Sequence, residues 1–408
     1  MRKLYILLIV LILIVIVVFK SVRQNNTGEE RMEISFWTLQ MNDFSDYING
    51  VITEYETQNP HIKIKWVDVP FSEGEKRTLA SVLSDNPPDL INLNPDFSSL
   101  LSQKGALYEI DTSLTKEFNQ EIINSLKYNG KLYSIPWYAT SAVTIYNKDL
   151  VQKANVFVPK NYEQLAQISP QIREIGAYSM LPNITENDTM LRILNKYGIN
   201  CAENINSEKS KEIFEFFQKL YKDDLIPKET ITQTHREALE KYMAENVVFF
   251  QSGANFLNMI KENAPSTYQN TDVAPQFTGA LGQNDFSLMN FIIPLKASHK
   301  DEALKFALFI TNEKNQLELA KLTNILATNQ KALEDEFYKN YSEGDLIAKA
   351  RVISANQLNN INPTFKTGRN QKEINTLINT ATQEILLQNS TTSSILDNVA
   401  KNWKELNN

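Results

Sequence analysis

The amino-acid sequence predicts an α/β protein built from two domains. Its 408 residues exceed the usual size of one domain, about 100–200 residues, and 42% of them are hydrophobic, enough for a sizeable core. Between residues 34 and 93, runs with strand period and runs with helix period alternate in the order β-α-β-α-β. That order is typical of a mainly parallel sheet covered by helices.

Three strands and two helices are predicted in this first part of the chain. The strands span residues 34–37, 61–69 and 89–93, and the helices span 44–55 and 75–83. In open sheets of this kind, ligands bind beyond the carboxyl ends of the strands. The rule selects Trp37, Thr38 and Gln40 after the first strand, and Asn94 and Asp96 after the third. Structural alternatives stay open, because Trp37 can pack on the first helix and Asp96 can cap the helix that follows.

The segment 130–150 organises the rest of the chain. Two strand-like runs, 132–137 and 142–146, flank a short stretch in which Trp137 and Tyr138 meet small polar residues. One interpretation is an ordinary strand pair within a single core. The other is a chain that crosses between two lobes, with the aromatic rings facing a cleft. Because neighbours in a strand point to opposite faces, at least one of the two rings should then face the ligand.

This segment resembles the interlobe crossing of bacterial extracellular solute-binding proteins of the sugar-transporter type, relatives of the maltose-binding protein. Their pattern, G-K-x-Y-x-I/V-P followed by polar residues and then I/V/L-x-Y-N-K-D-L, is matched by Gly130, Lys131, Tyr133, Ile135, Pro136, Ile145, Tyr146, Asn147, Lys148, Asp149 and Leu150. The resemblance extends from about Ile34 to the C-terminus. It implies a two-lobed periplasmic-binding-protein type II fold, with discontinuous lobes joined by three hinge crossings.

The same resemblance sets the expected lobe boundaries. The first lobe would hold residues 33–138 and 288–322, and the second would hold 143–285 and 327–408. The third crossing would then lie at about 322–327. In relatives, the place that follows the buried-strand run 247–250 commonly carries a tryptophan in a G-x-W pattern.

In this chain Gly253 is present at that place, but Asn255 replaces the tryptophan. A polar amide can hydrogen-bond a sugar hydroxyl where an indole would stack. Phe250, Gln251 and Asn255 are therefore expected to face the cleft. The alternative for this stretch is a turn and a helix cap.

Residues 1–23 predict an N-terminal membrane anchor or signal segment. Arg2 and Lys3 precede an unbroken apolar run at 4–19, and neither a small-x-small cleavage motif nor a lipid-accepting cysteine follows it. We therefore expect an uncleaved anchor that places the chain on the outer face of the bacterial cytoplasmic membrane, with cleavage and secretion as the alternative. Residues 24–32 are polar and predict a tether.

Composition and missing motifs narrow the function. Lys and Arg number 41 against 48 Asp and Glu, a net charge of -7, which argues against nucleic acid as a partner. One cysteine, Cys201, and three histidines are too few and too scattered for a structural zinc site, and no metal or cofactor is predicted. A phosphate-binding glycine loop and a nucleophile elbow are both absent from the sequence. An enzyme is not predicted.

The resemblance implies an extracytoplasmic binding subunit of an ABC importer that binds a sugar or oligosaccharide by hinge closure. Its partners would be the carbohydrate ligand and the ABC permease subunits, and the protein would be a monomer. Two other functions stay open. One is a membrane-anchored carbohydrate-active enzyme, and the other is a sensory binding protein that signals to a kinase.

Overall fold

Strands and helices alternate along the computed structural model, which describes residues 31–362, 370–387 and 391–407. The strands are β1 (Met32–Leu39), β2 (Ile62–Val69), β3 (Leu90–Leu93), β4 (Lys127–Tyr128), β5 (Lys131–Leu132), β6 (Ser134–Thr140), β7 (Val143–Asn147), β8 (Phe249–Ser252), β9 (Thr271–Pro275), β10 (Ser287–Ile292) and β11 (Leu326–Ala327).

The α-helices are α1 (Ser45–Gln58), α2 (Phe71–Val82), α3 (Pro95–Gln103), α4 (Gln120–Ser125), α5 (Lys148–Lys153), α6 (Tyr162–Glu174), α7 (Thr189–Asn195), α8 (Glu208–Lys222), α9 (His235–Met243), α10 (Phe256–Asn263), α11 (Pro265–Gln269), α12 (Lys300–Ile310), α13 (Glu313–Thr323), α14 (Gln330–Leu333), α15 (Leu346–Gln357), α16 (Gln371–Leu387) and α17 (Thr392–Asn407). Short 3-10 helices lie at Asn42–Phe44, Thr112–Thr115, Lys228–Ile231 and Glu336–Tyr338.

The predicted anchor at 1–23 lies outside the described residues, as does the tether up to residue 30. In the part of the chain that the structure describes, no helix combines the length and apolarity needed to cross a bilayer.

The first lobe is built on a six-stranded sheet in the order β11-β6-β10-β3-β1-β2. β1 pairs with β2 and β3 in parallel, as predicted, while β10 runs antiparallel to both β3 and β6. Successive residues of β3 enter different cores, because Leu90 packs with α1 and α12 on one face and Ile91 packs with α2 and α3 on the other. Helices therefore cover both faces, as is usual for parallel strands.

The second lobe surrounds a smaller antiparallel sheet in the order β8-β7-β9. Helices α6, α7 and α8 pack with α16 and α17 in one core, which includes Phe249 and Trp403. Helices α9 and α10 pack on Val143, Ile145 and Phe250 in a second core. The two C-terminal helices thus belong to this lobe.

The lobes are joined by three passages of the chain. In the first, only Ser141 and Ala142 separate β6 of the larger sheet from β7 of the smaller one. The second passage lies between β9 and β10. Together they make the hinge a narrow neck between the two sheets.

The third passage differs from the predicted crossing at 322–327. β11 extends the larger sheet by pairing with β6, and Ala332 and Tyr338 pack with Ala139 and Leu288. Residues 327–338 are therefore held against the first lobe by buried apolar side chains. The chain reaches the second lobe only afterwards, where Ala350 of α15 packs with that lobe's second core.

Candidate ligand-binding cleft

Two neighbouring cavities lie at the first passage between the lobes. The polar cavity, about 490 Å³, is lined by residues 140–142, 180–183, 186–189, 192–193, 196, 250–253 and 285–287, with Tyr162, His235 and Gln276. The apolar cavity, about 370 Å³, is lined by Met41, Phe44, Tyr138, residues 140–141, 253–255 and 323–326, Leu319 and Ser354. Thr140, Ser141 and Gly253 line both. The cavities therefore form adjoining parts of one cleft.

An ion pair between a buried lysine and a partly exposed aspartate lines the polar cavity. The side chain of Lys196 is only 3% exposed, and its Nζ lies 3.0 Å from Oδ2 of Asp285. The same ammonium donates to Oε1 of Gln276 at 3.2 Å and to the backbone oxygen of Phe277 at 2.5 Å. These three partners use all three protons of the ammonium. Lys196 therefore fixes Asp285 in place, and the carboxylate, which is partly exposed, remains available to a ligand.

Arg192 lies beside this pair and faces several carboxylates. Its Nε donates to Oδ2 of Asp188 at 2.7 Å, and its Nη1 donates to the backbone oxygen of Phe286 at 3.4 Å. Burial alone would lower the pKa of Arg192, but Asp188, Asp285 and Asp96 outweigh it and raise that pKa. Asp96 comes from the start of α3 in the first lobe, so charges of both lobes meet at this cavity.

His235 forms another wall of the polar cavity. Its ring stacks on Phe250, with centroids 4.8 Å apart and planes at 29°, and its Nε2 lies 2.9 Å from Oγ of Ser252. Its backbone N–H donates to Oε2 of Glu186 at 2.7 Å. Burial lowers the pKa of His235, although the Glu186 carboxylate opposes this shift. The imidazole is therefore held in its neutral form near pH 7.

Four of the predicted ligand-binding residues line the cleft. Phe250 and Gln251 line the polar cavity, while Tyr138 and Asn255 line the apolar one. Within the described ranges, the buried Nε2 of Gln251 has no hydrogen-bond partner. Burial raises the pKa of Tyr138 to about 12, so its hydroxyl is neutral at ordinary pH. Asp96 lines neither cavity, but its charge acts on Arg192 at the polar one.

Trp137 does not reach either cavity. Its side chain is 0% exposed and stacks on Phe291 in the core of the first lobe, with ring centroids 4.6 Å apart. Along β6, Tyr138 points to the cleft and Trp137 to the interior, because adjacent residues of a strand alternate in direction. The structure thus places one of the two rings, that of Tyr138, at the cleft, as expected.

The residues predicted after the first strand also lie away from both cavities. Thr38 is fully buried, where its hydroxyl donates to Asp68 at 2.6 Å and accepts from Nε1 of Trp66 at 2.8 Å. Trp37 is half-buried, with the guanidinium of Arg77 5.0 Å above its ring. Gln40 is exposed at the end of β1, with a φ of 52°. Trp37, Thr38 and Gln40 therefore line neither cavity, and Met41 is the residue after β1 that lines the cleft.

Asn94 acts as a helix cap and not as a cavity residue. Its side-chain oxygen accepts the backbone N–H of Phe97 at 2.8 Å, at the N-terminus of α3. The capping position expected as the alternative for Asp96 is thus occupied by Asn94, two residues earlier. This arrangement leaves the Asp96 carboxylate in the first turn of the helix, where negative charge is favoured.

Sequence reasoning missed the charged residues of the polar cavity. Glu186, Arg192, Lys196 and Asp285 follow no recognised spacing, and Asp285 is far from the others along the chain. One signal was available, because Lys196 follows Ile193 by three residues and so shares the apolar face of its helix. A lysine on such a face needs a buried partner.

A network of neutral side chains joins the first two passages to the end of α15. The amide of Gln276 donates to Oγ of Ser141 at 3.1 Å and to the backbone oxygen of Asp285 at 3.0 Å. The amide of Gln357 donates to Oγ of Ser141 at 2.9 Å, and its Oε1 accepts the backbone N–H of Gln276 at 2.8 Å. Hydrogen bonds therefore fix the first two passages to each other and to the end of α15.

Comparison with known proteins places this fold and cleft in a family. Residues 50–344 match the family model of the bacterial extracellular solute-binding proteins. The multiple sugar-binding protein of Streptococcus mutans is 23% identical over 314 residues, which are 71% of this chain and 73% of that protein.

Solved structures agree along nearly the whole chain. A Synechococcus sp. MITs9220 protein named as an oligosaccharide periplasmic-binding protein has a TM-score of 0.84 and 25% identity, covering 91% of this chain and 98% of its own. The sugar-binding protein MalE of Xanthomonas citri has a TM-score of 0.75 and 18% identity, with 92% and 97% covered, and supports the fold. The names of these proteins describe them as sugar-binding or oligosaccharide-binding proteins. Because the family model spans most of the sequence and the two-lobed fold agrees, the chain belongs to the bacterial extracellular solute-binding protein family.

Proposed function

We propose that this chain binds a sugar or oligosaccharide in the interlobe cleft and delivers it to an ABC importer. The single observation that carries the proposal is the polar cavity at the neck between the lobes, where charges from both lobes meet. Its size lies within the usual range for small-molecule sites, about 300–1,000 Å³. The names of its relatives point to carbohydrates as the ligand class.

The side chains of the cavity suit a polyhydroxylated ligand. The carboxylates of Asp188 and Asp285 accept hydrogen bonds from hydroxyls, while the guanidinium of Arg192 donates them. Bonds to charged groups are the stronger ones, about 1.5–3 kcal/mol each. Tyr138, in the adjoining apolar cavity, adds an aromatic face for apolar groups of the ligand.

Ligand binding would favour a closed arrangement of the lobes. Only two residues link β6 to β7, so a small backbone change there rotates one lobe against the other. A ligand that contacts Arg192 of the second lobe and Ser287 of the first interacts more strongly when the lobes approach. This difference in affinity sets how far the population shifts. A permease would recognise the closed monomer, held at the membrane by the N-terminal segment.

A thermal-shift screen with purified protein tests this function. We expect one or more neutral mono- or oligosaccharides or sugar alcohols to raise the melting temperature, because a ligand that binds only the native state stabilises it. At a ligand concentration 100 times the Kd, the stabilisation is about 2.7 kcal/mol. Arg192→Met serves as the matched variant and should lose most of the shift. If the panel leaves the melting temperature unchanged, a carbohydrate function is contradicted.

The same purified protein can be used to distinguish the two alternative functions from transport. Hydrolysis of an oligosaccharide that raises the melting temperature would identify an enzyme. Stimulation of a membrane sensor kinase, without ligand transport by permease subunits in vesicles, would identify a sensory protein. Transport that depends on the purified chain supports the importer role.

A further inference from the structure

The two cavities of the cleft differ in the chemistry of their walls. Charged side chains line the polar cavity, among them Glu186, Asp188, Arg192 and Asp285. The residues that line the apolar cavity include no charged side chain. Its walls are formed mainly by the side chains of Met41, Phe44, Tyr138, Leu319, Ile325 and Leu326.

Several polar groups of the apolar cavity are already used within the protein. The hydroxyl of Ser354 donates to the backbone oxygen of Ser141 at 3.1 Å, and that of Thr323 donates to the backbone oxygen of Leu319 at 2.7 Å. Oδ1 of Asn324 accepts from Nη1 of Arg351 at 3.1 Å. Among the described residues, the hydroxyls of Tyr138 and Thr140, the Asn255 amide and Nδ2 of Asn324 are not used in this way.

A sugar ring would be poorly accommodated in such a compartment. Each hydroxyl that is buried without a partner loses its hydrogen bonds to water and carries the full desolvation penalty. An apolar group is instead stabilised in this cavity, because the free energy of burial becomes more favourable with the apolar area removed from water. The apolar cavity is therefore suited to an apolar substituent.

The two cavities adjoin, since Thr140, Ser141 and Gly253 line both. We propose that the ligand is a glycoside whose sugar occupies the polar cavity and whose apolar aglycone, an aryl or short alkyl group, occupies the apolar cavity. The glycosidic bond would lie beside Thr140. This inference rests on the proposed function and narrows its substrate class.

Pairs of glycosides that differ only in the aglycone test the inference. Methyl and phenyl glycosides of glucose and galactose, in both anomers, are titrated calorimetrically into the full chain. For the sugar that binds, we expect the phenyl member to bind at least about tenfold more tightly, from the apolar area of one ring. A gain below about threefold in every pair would overturn the inference.

Variants locate the source of this gain. Phe44→Ala and Ile325→Ser should weaken the phenyl glycoside much more than the methyl glycoside, so that the ratio of the two affinities falls below about threefold. Thr189→Ala, in the polar cavity, is the control and should weaken both members of a pair by the same factor. Melting temperatures confirm that each variant is folded. A phenyl advantage that survives in both Phe44→Ala and Ile325→Ser would also overturn the inference.

The outcomes separate this inference from the proposed function. If free sugars and methyl glycosides bind and the phenyl group adds nothing, the inference fails and the sugar-binding function stands. If neither free sugars nor glycosides bind, both fail.

Discussion

Trp137 and Tyr138 are neighbours in β6, and their rings contact each other with centroids 5.1 Å apart and planes at 62°. Trp137 is completely buried in the first lobe, while Tyr138 lines the cleft. One ring thus stabilises the fold behind the site, and the other forms part of its wall. This division predicts opposite effects when each ring is removed.

Replacing Trp137 should affect stability and spare binding. Trp137→Ala leaves a cavity beside Phe291, and such changes cost about 3–5 kcal/mol. Urea unfolding of wild type and variant measures this loss, and Trp137→Phe should recover part of it. For variant protein that remains folded, the affinity for ligand should be close to wild type. Weakened binding with unchanged stability would place this ring in the site.

Replacing Tyr138 should affect binding more than stability. Loss of an aromatic contact is worth roughly 0.5–1.5 kcal/mol beyond area burial, up to about a tenfold change in affinity. Calorimetric titration of Tyr138→Ala should show this weakening, and Tyr138→Phe, which keeps the ring, should bind nearly as wild type. Equal affinities for the alanine variant and the wild type would remove Tyr138 from the ligand contacts.

The ion pair between Lys196 and Asp285 should contribute to the stability of the folded protein. Lys196→Met leaves the Asp285 carboxylate without its buried partner, and removal of one member of such a pair costs about 3–5 kcal/mol. Asp285 is partly exposed, so we expect a loss near the lower end. Adding Asp285→Asn should restore part of the stability. Lys219→Met, which breaks an exposed pair with Asp223, is the control and should change little. Equal losses in Lys196→Met and the control would contradict a structural role.

His235 should make the protein less stable in mild acid. Burial lowers its pKa below the usual 6.5, so the unfolded chain binds more protons between the folded-state pKa and 6.5. The free energy of unfolding should therefore fall as the pH drops through about 6.5 and should level off below the folded-state pKa. Denaturation at pH 7 and pH 5 measures this slope, which should be smaller in His235→Gln. His61 and His299 are the same in both proteins, so identical slopes would show that His235 contributes nothing.

The sequence located the neck between the lobes but could not choose the face of β6. Glycine, proline and the following apolar run marked the segment 130–150, and the structure places the first passage inside it. Both faces of the larger sheet are covered by helices, so the apolar pattern of β6 carries no polarity that separates Trp137 from Tyr138. Only the tertiary fold decides this.

The rule about strand ends selected residues with different surroundings, because it does not specify what each side chain contacts. It selected Asp96, which acts on the polar cavity, together with Thr38, which is buried against Asp68. The ion pair between Lys196 and Asp285 was not predictable, because the two residues belong to segments that are far apart in sequence. Sequence periodicity reports which face of an element is buried and not which distant element covers it.

The most direct test of sugar binding in the cleft is a titration. A carbohydrate found by thermal screening is titrated into the wild type and into Ser287→Trp. Ser287 is exposed at the start of β10 and lines the polar cavity, so an indole there fills ligand space without disturbing the core. We expect binding to the wild type and at least about a hundredfold weaker binding to the variant, a loss of about 2.7 kcal/mol, with unchanged melting temperature. Equal affinity for the two proteins would contradict a sugar site in this cleft.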